Sequence, residues 1–152
     1  MEHVLVIALG NPLRCDDGIA WQAAEELRRT LPFADIVCVH QLTPELAERA
    51  SSADMVVFLD AAASGIPGTV TCQAVSSQPA EVHLSHHLVP GEILALCDRL
   101  YAAKPSGFLI SVHGKCFHHG QELSPAVVKS IPKVVAKVSE VVKYLSDARA
   151  SV

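Results

Sequence analysis

The chain has 152 residues, the length of one ordinary domain; 50% of them are hydrophobic, 18% charged and 5% aromatic. An aliphatic composition at this length supports a buried core without a disulfide or structural metal and excludes a disordered chain. Lys and Arg total 12 against 16 Asp and Glu, a formal net charge of -4 with the lysines mostly along one late segment, which argues against a nucleic-acid partner.

No apolar run reaches the roughly 20 residues needed to span a bilayer. Met1-Glu2-His3 lacks the basic start of a signal peptide, so a cytoplasmic protein with no membrane partner is expected. The cysteines Cys15, Cys38, Cys72, Cys97 and Cys116 are odd in number and form no C-x-x-C pair, which predicts reduced thiols, most of them small core residues.

Val4 to Leu9 (VLVIAL) is a continuous apolar run ended by Gly10-Asn11-Pro12, the pattern of a strand buried on both faces. From Gly18 to Leu31 the apolar positions Ile19, Ala20, Ala23, Ala24, Leu27 and Leu31 recur at helical spacing, with Asp16 or Asp17 expected as the cap. Asp35 to His40 reads as a second strand, and Thr43-Pro44-Glu45 as the start of a short helix ending near Ser51. Met55 to Leu59 is a third strand, closed by Asp60. Thr69 to Val75 follows too soon for a helical crossover, which predicts an antiparallel strand at the sheet edge.

Ser76 to His87 is polar and irregular; Pro90 to Ala102 is helical by pattern, Phe108 to Val112 is a strand, and Gly114 to Glu122 a loop. Ser124-Pro125 opens a last helix reaching about Leu145, with Val127, Val128, Ile131, Val134, Val135, Val138, Val141 and Val142 facing inward and Pro132 as a candidate kink. The order predicts an α/β fold: one domain over residues 1–152, a mostly parallel twisted sheet of about five strands with helices on both faces. Ligands of such sheets collect beyond the carboxyl ends of the strands where the winding reverses, which selects the loops at Gly10–Asp17, Asp60–Gly65 and 76–87.

Those loops carry Asp16-Asp17, Asp60 and His86-His87. Adjacent carboxylates repel unless something offsets them, and one helix cap beside one solvated acid is the plain account of the first pair. An acid closing an apolar strand needs a partner, or else caps the next turn. Two aspartates and a histidine on neighbouring loops form an oxygen, oxygen, nitrogen set that suits a divalent ion such as nickel or zinc and leaves positions open on it. GxxxxGK, GxGxxG and GxSxG are absent, so phosphate cradles and the serine-hydrolase elbow have no support. Cys15 as a thiolate nucleophile with His86 as base is disfavoured, because Asp16 and Asp17 raise a neighbouring thiol. His113, Cys116, His118 and His119 fit no standard zinc spacing and read as a solvated loop.

Four segments in order carry a resemblance: VLVIALGNPLRCDDGIA, QLTPELAE with ADMVVFLDAAASG, SHHLVPGEILALCDRLY, and GQELSPAV before a Val-rich helix. Together they resemble the nickel-iron hydrogenase maturation proteases, endopeptidases that trim the C-terminal tail of the hydrogenase large subunit. The resemblance implies metal contacts at Asp17, Asp60 and His86, with His86 chosen over His87 by alignment; some members carry Glu where this chain has Asp17. It implies a large-subunit precursor already holding nickel as substrate and partner, so that the nickel arrives with the client. It leaves open whether Asp17 or Asp60 also acts as catalytic base or the metal polarises the scissile carbonyl. The alternative is a non-proteolytic metal-sensing module or chaperone that contacts the same precursor.

Overall fold

The computed structural model describes residues 2–79 and 87–151. Five strands form one sheet in the order β2-β1-β3-β5-β4: β1 Val4–Leu9, β2 Asp35–Val39, β3 Met55–Ala62, β4 Val70–Val75 and β5 Ser106–His113. The β1–β2, β1–β3 and β3–β5 pairs are parallel and the β4–β5 pair is antiparallel, as the short β3–β4 connection predicts. The helices are α1 Ile19–Thr30, α2 Leu46–Ser51, α3 Pro90–Tyr101 and α4 Pro125–Ala150. The predicted α/β class and mostly parallel sheet are therefore present, with helices on both faces.

Strand alternation divides the core in two. Val4, Val6, Ala8, Met55, Val57 and Leu59 meet Ala20, Ala23 and Leu27 of α1 and Val134, Val138 and Val141 of α4 on one face. Leu5, Ile7, Val56 and Phe58 meet Leu46, Ala47 and Ala50 of α2 and Ile93 and Cys97 of α3 on the other. Because β1 and β3 are wrapped from both sides, their residues are apolar in unbroken runs, and each large side chain so buried stabilises the fold by roughly 1.5–3 kcal/mol. The chain winds from β1 to β2 in one direction and then crosses back to β3 on the other side of β1. The winding therefore reverses between β1 and β3, and open α/β sheets take their ligands in the crevice beyond the carboxyl ends of the strands at such a point.

Several expectations are corrected. Neither Asp16 nor Asp17 caps α1: both lie in a 3-10 turn, Cys15–Gly18, and α1 starts from Gly18 with no side-chain cap. Strand β3 does not end at Asp60 but runs on to Ala62, because β5 continues beside it and pairs Asp60 with Ser111 and Ala62 with His113. Helix α2 begins at Leu46, preceded by turns in which Thr43 and Pro44 carbonyls accept from Leu46 and Ala47. Helix α4 passes unbroken through Pro132 and extends to Ala150. Its Val128 is 48% exposed rather than inward, since α4 presents Val127, Val134 and Val138 to the sheet and Val128 points away from that stripe. All five cysteines are free, but only Cys97 is buried; Cys38 and Cys72 are half-buried against the core, and Cys15 and Cys116 are half-buried outside it.

Candidate functional site

The crevice between β1 and β3 is built by a close approach of backbone. At the end of β1 the 3-10 turn folds back so tightly that a Cβ on Gly10 would lie 2.0 Å from the carbonyl oxygen of Asp17, and Gly10 itself has φ +148°. Only glycine fits there. The Asn11 side chain accepts from the Leu13 N–H at 2.9 Å, and the Asn11 N–H donates to Asp17 Oδ2 at 2.8 Å. The Gly10-Asn11 turn thus holds the Asp17 carboxylate at the mouth of β1.

Asp60 reaches the crevice from β3. It shares the parity of Val56 and Phe58, so its side chain stands on the α2/α3 face of the sheet. Its Oδ1 accepts from the Ala61 N–H at 2.8 Å. Burial pushes the Asp60 carboxyl up to about 6; the Ala61 N–H pulls it down, and the negative charge of Asp17 adds to the rise. Two carboxylates 43 positions apart in sequence are therefore near enough to feel each other, and one is poised to gain or lose a proton near neutrality. Such a pair can ligate a divalent cation, which would relieve the repulsion, or hold a water for general-base attack.

His86, the third residue of the expected set, lies outside the described residues. The chain returns at His87, which is exposed, and Leu88 packs against the Leu5–Phe58 face, the side of the sheet that Asp60 shares. Among the described residues no three His, Cys, Asp or Glu side chains form a metal-holding group, so His113, Cys116, His118 and His119 are not brought together as one. A hollow of about 200 Å³ beside α1, lined by Pro12, Cys15, Trp21 and Leu123 among others, contains neither carboxylate.

Asp16 has a role that spacing alone does not reveal. It is fully buried, and its carboxylate accepts from the N–H groups of Lys115 (2.7 Å), Cys116 (2.9 Å) and Ser124 (2.6 Å) and from the Ser124 hydroxyl (2.7 Å). Burial raises its pKa, but these four donors more than reverse that and leave Asp16 below the usual carboxylate range. The Ser124 hydroxyl is thereby diverted from capping α4. With Cys15 N–H donating to Gly120 and Asp16 N–H to Cys116, the turn that carries Asp17 is pinned to the 114–124 loop. The adjacent acids divide the work: Asp16 fixes the turn and Asp17 faces the crevice.

Cys15 is poorly suited to attack a carbonyl. Its thiol is raised by a hydrogen bond with the Cys116 side chain, with burial and the nearby charges of Asp16 and Glu122 adding to the effect. No helix is long and apolar enough to cross a membrane among the described residues.

No protein-family model matches the chain, and no curated protein sequence matches it. Solved structures do. The hydrogenase maturating endopeptidase HybD from E. coli superposes with a TM-score of 0.77 at 22% identity over 93% of both chains. The [NiFe] hydrogenase maturation protease HybD from Thermococcus kodakarensis gives 0.73 at 26% identity over 91% of this chain and 98% of its own. A hydrogenase 2 maturation peptidase from a Thaumarchaeota archaeon gives 0.70 at 22% identity over 93% and 99%. Nearly the whole chain thus has the fold of the hydrogenase maturation proteases, the family that its four sequence segments resemble.

Proposed function

We propose that this chain is an endopeptidase that removes the C-terminal extension of a nickel-loaded [NiFe] hydrogenase large-subunit precursor. The observation that carries the reading is the approach of Asp17 and Asp60 at the reversal of the sheet, with the half-buried Asp60 raised chiefly by desolvation and further by the charge of Asp17. A half-buried, mutually repelling acid pair costs stability, and perturbed acids of this kind cluster where a ligand or a reaction uses them. The named functions of the structural neighbours supply the substrate class.

In this reading the client's nickel docks on Asp17, Asp60 and His86 and places the scissile bond over the crevice. Asp17 is fixed by the Asn11 N–H and presents its other oxygen; Asp60 gives up its proton near neutrality and contributes a carboxylate. Recognition then depends on the loaded metal, and an empty precursor is not positioned for cutting. Either Asp60 or the bound metal can activate water, and both routes require the same deprotonated Asp60.

The test is to incubate the purified chain with nickel-loaded and nickel-free precursor and weigh the products. Loss of a C-terminal peptide from the loaded form alone is the expected result. An unchanged mass for loaded precursor bound to the chain would make it the non-proteolytic module instead.

A further inference from the structure

A second surface, on the opposite face of the sheet from Asp60, has the makings of a peptide groove. Lys129, Lys133 and Lys137 recur at four-residue spacing along α4 and so form one row. They border a hollow of about 630 Å³ whose other wall is the turn before β4 and its first residue, Ile66, Pro67, Gly68, Thr69 and Val70. Ile66 is 78% exposed, an aliphatic side chain held out at the rim. Lys137 pairs with Glu140 at 3.0 Å, while Lys129 and Lys133 form no ion pair among the described residues. On a chain of formal charge -4, a row of lysines with no acid between them is a local reversal of sign.

The strand beside this row is the open edge of the sheet. β4 pairs with β5 on one side only among the described residues, and Thr71, Gln73 and Ala74 are exposed along it. An unpaired edge offers backbone N–H and C=O groups to an incoming strand, and side chains alternating along that strand would point by turns to the α4 face and away from it. We propose that the β4 edge and the Lys129–Lys133 row form a docking groove for an extended acidic peptide segment, which adds to β4 as a sixth strand. Its alternate carboxylates meet the lysines and an aliphatic side chain covers Ile66. The groove is separate from Asp17 and Asp60, and its occupancy does not depend on nickel or on peptide cleavage.

The experiment uses the full chain and a fluorescein-labelled seven-residue peptide alternating Glu and Val, followed by fluorescence anisotropy without precursor or metal. Binding should weaken as salt rises towards roughly 0.5 M, where screening reaches only a few ångströms. The Lys129→Glu/Lys133→Glu variant should bind about tenfold more weakly. Both lysines are exposed, so its melting temperature should match that of the parent. A peptide N-methylated at alternate backbone nitrogens should also bind more weakly, because it cannot complete a strand ladder. Equal affinity for a Lys/Val peptide, no effect of the charge reversal, or no effect of N-methylation would overturn the proposal. Self-association of the chain, abolished by the same two substitutions, would overturn it in favour of a second copy as occupant.

Discussion

Asp17, in the turn that follows β1, and Asp60, on β3, lie where the sheet reverses its winding, and the charge of Asp17 adds to the burial that holds the Asp60 proton to about pH 6. Asp17 owes its place to Asn11 and to the absence of a side chain at Gly10, whereas Asp60 owes its to the alternation of β3. Two unrelated local causes thus produce one electrostatic unit.

The raised pKa makes a signed prediction about stability. Folded protein holds the Asp60 proton up to about 6, whereas the unfolded chain releases it near 3.8. The contribution is fully present below pH 3.8 and is lost as pH rises through about 6. Asp60→Asn removes the loss. By urea unfolding the variant should match the parent near pH 4 and exceed it by roughly 2–3 kcal/mol at pH 7.5, since a tenfold change in proton affinity is worth about 1.4 kcal/mol. A variant less stable than the parent at pH 7.5 would contradict the burial of this charge.

Processing should show the opposite trend. In the proposed reaction Asp60 must be ionised to meet the client's ion, so the initial rate at low concentrations of loaded precursor, which reports the free protein, should fall as pH drops through about 6. Asp17→Ala, Asp60→Ala and His86→Ala should each cut it by roughly 10²–10⁴. Cys15→Ser should retain near-parental activity, since the Cys15 thiol is raised and no step uses it. Inactivity confined to the cysteine variant would point to a thiol hydrolase.

Asp16→Ala tests the pin beneath the turn. It leaves the N–H groups of Lys115, Cys116 and Ser124 without their acceptor, and each buried unsatisfied donor costs about 1–3 kcal/mol. A total loss of roughly 3–5 kcal/mol is expected from denaturant midpoints at neutral pH. Because the Asp16 pKa is lowered, the stabilisation exists above the unfolded value of 3.8 and disappears as pH falls through the folded one. The gap between variant and parent should therefore close in acid.

Gly10→Ala places a methyl group 2.0 Å from the Asp17 carbonyl oxygen, so the turn must move. The expected loss is at least roughly 2 kcal/mol in stability. Processing should fall further than stability explains, because Asp17 moves with the turn; parental activity at full folding would show that the turn is not needed to place Asp17.

The sequence made the sheet legible because its central strands are apolar without interruption, as in VLVIAL and MVVFL, and because the β3–β4 connection is too short for anything but an antiparallel edge. Asp60 was legible as a candidate from an acid at the end of such a run, although the extension of β3 beside β5 could not be read from β3 itself. The split between Asp16 and Asp17 was not legible. It depends on N–H groups about a hundred residues away, and no local spacing announces a partner at that distance. The wrong orientation of Val128 has a different cause: a run of adjacent valines in α4 satisfies more than one helical stripe, and packing on β5 selects only one of them.

The central claim is that Asp17, Asp60 and His86 grip one ion. The most direct measurement is a crystal of the chain soaked in a divalent nickel or cadmium salt. The expected result is a single ion with oxygen atoms of Asp17 and Asp60 and a ring nitrogen of His86 each at about 2.0–2.4 Å and open positions towards solvent. An ion bound elsewhere, or a His86 ring directed away from the two carboxylates, would contradict it.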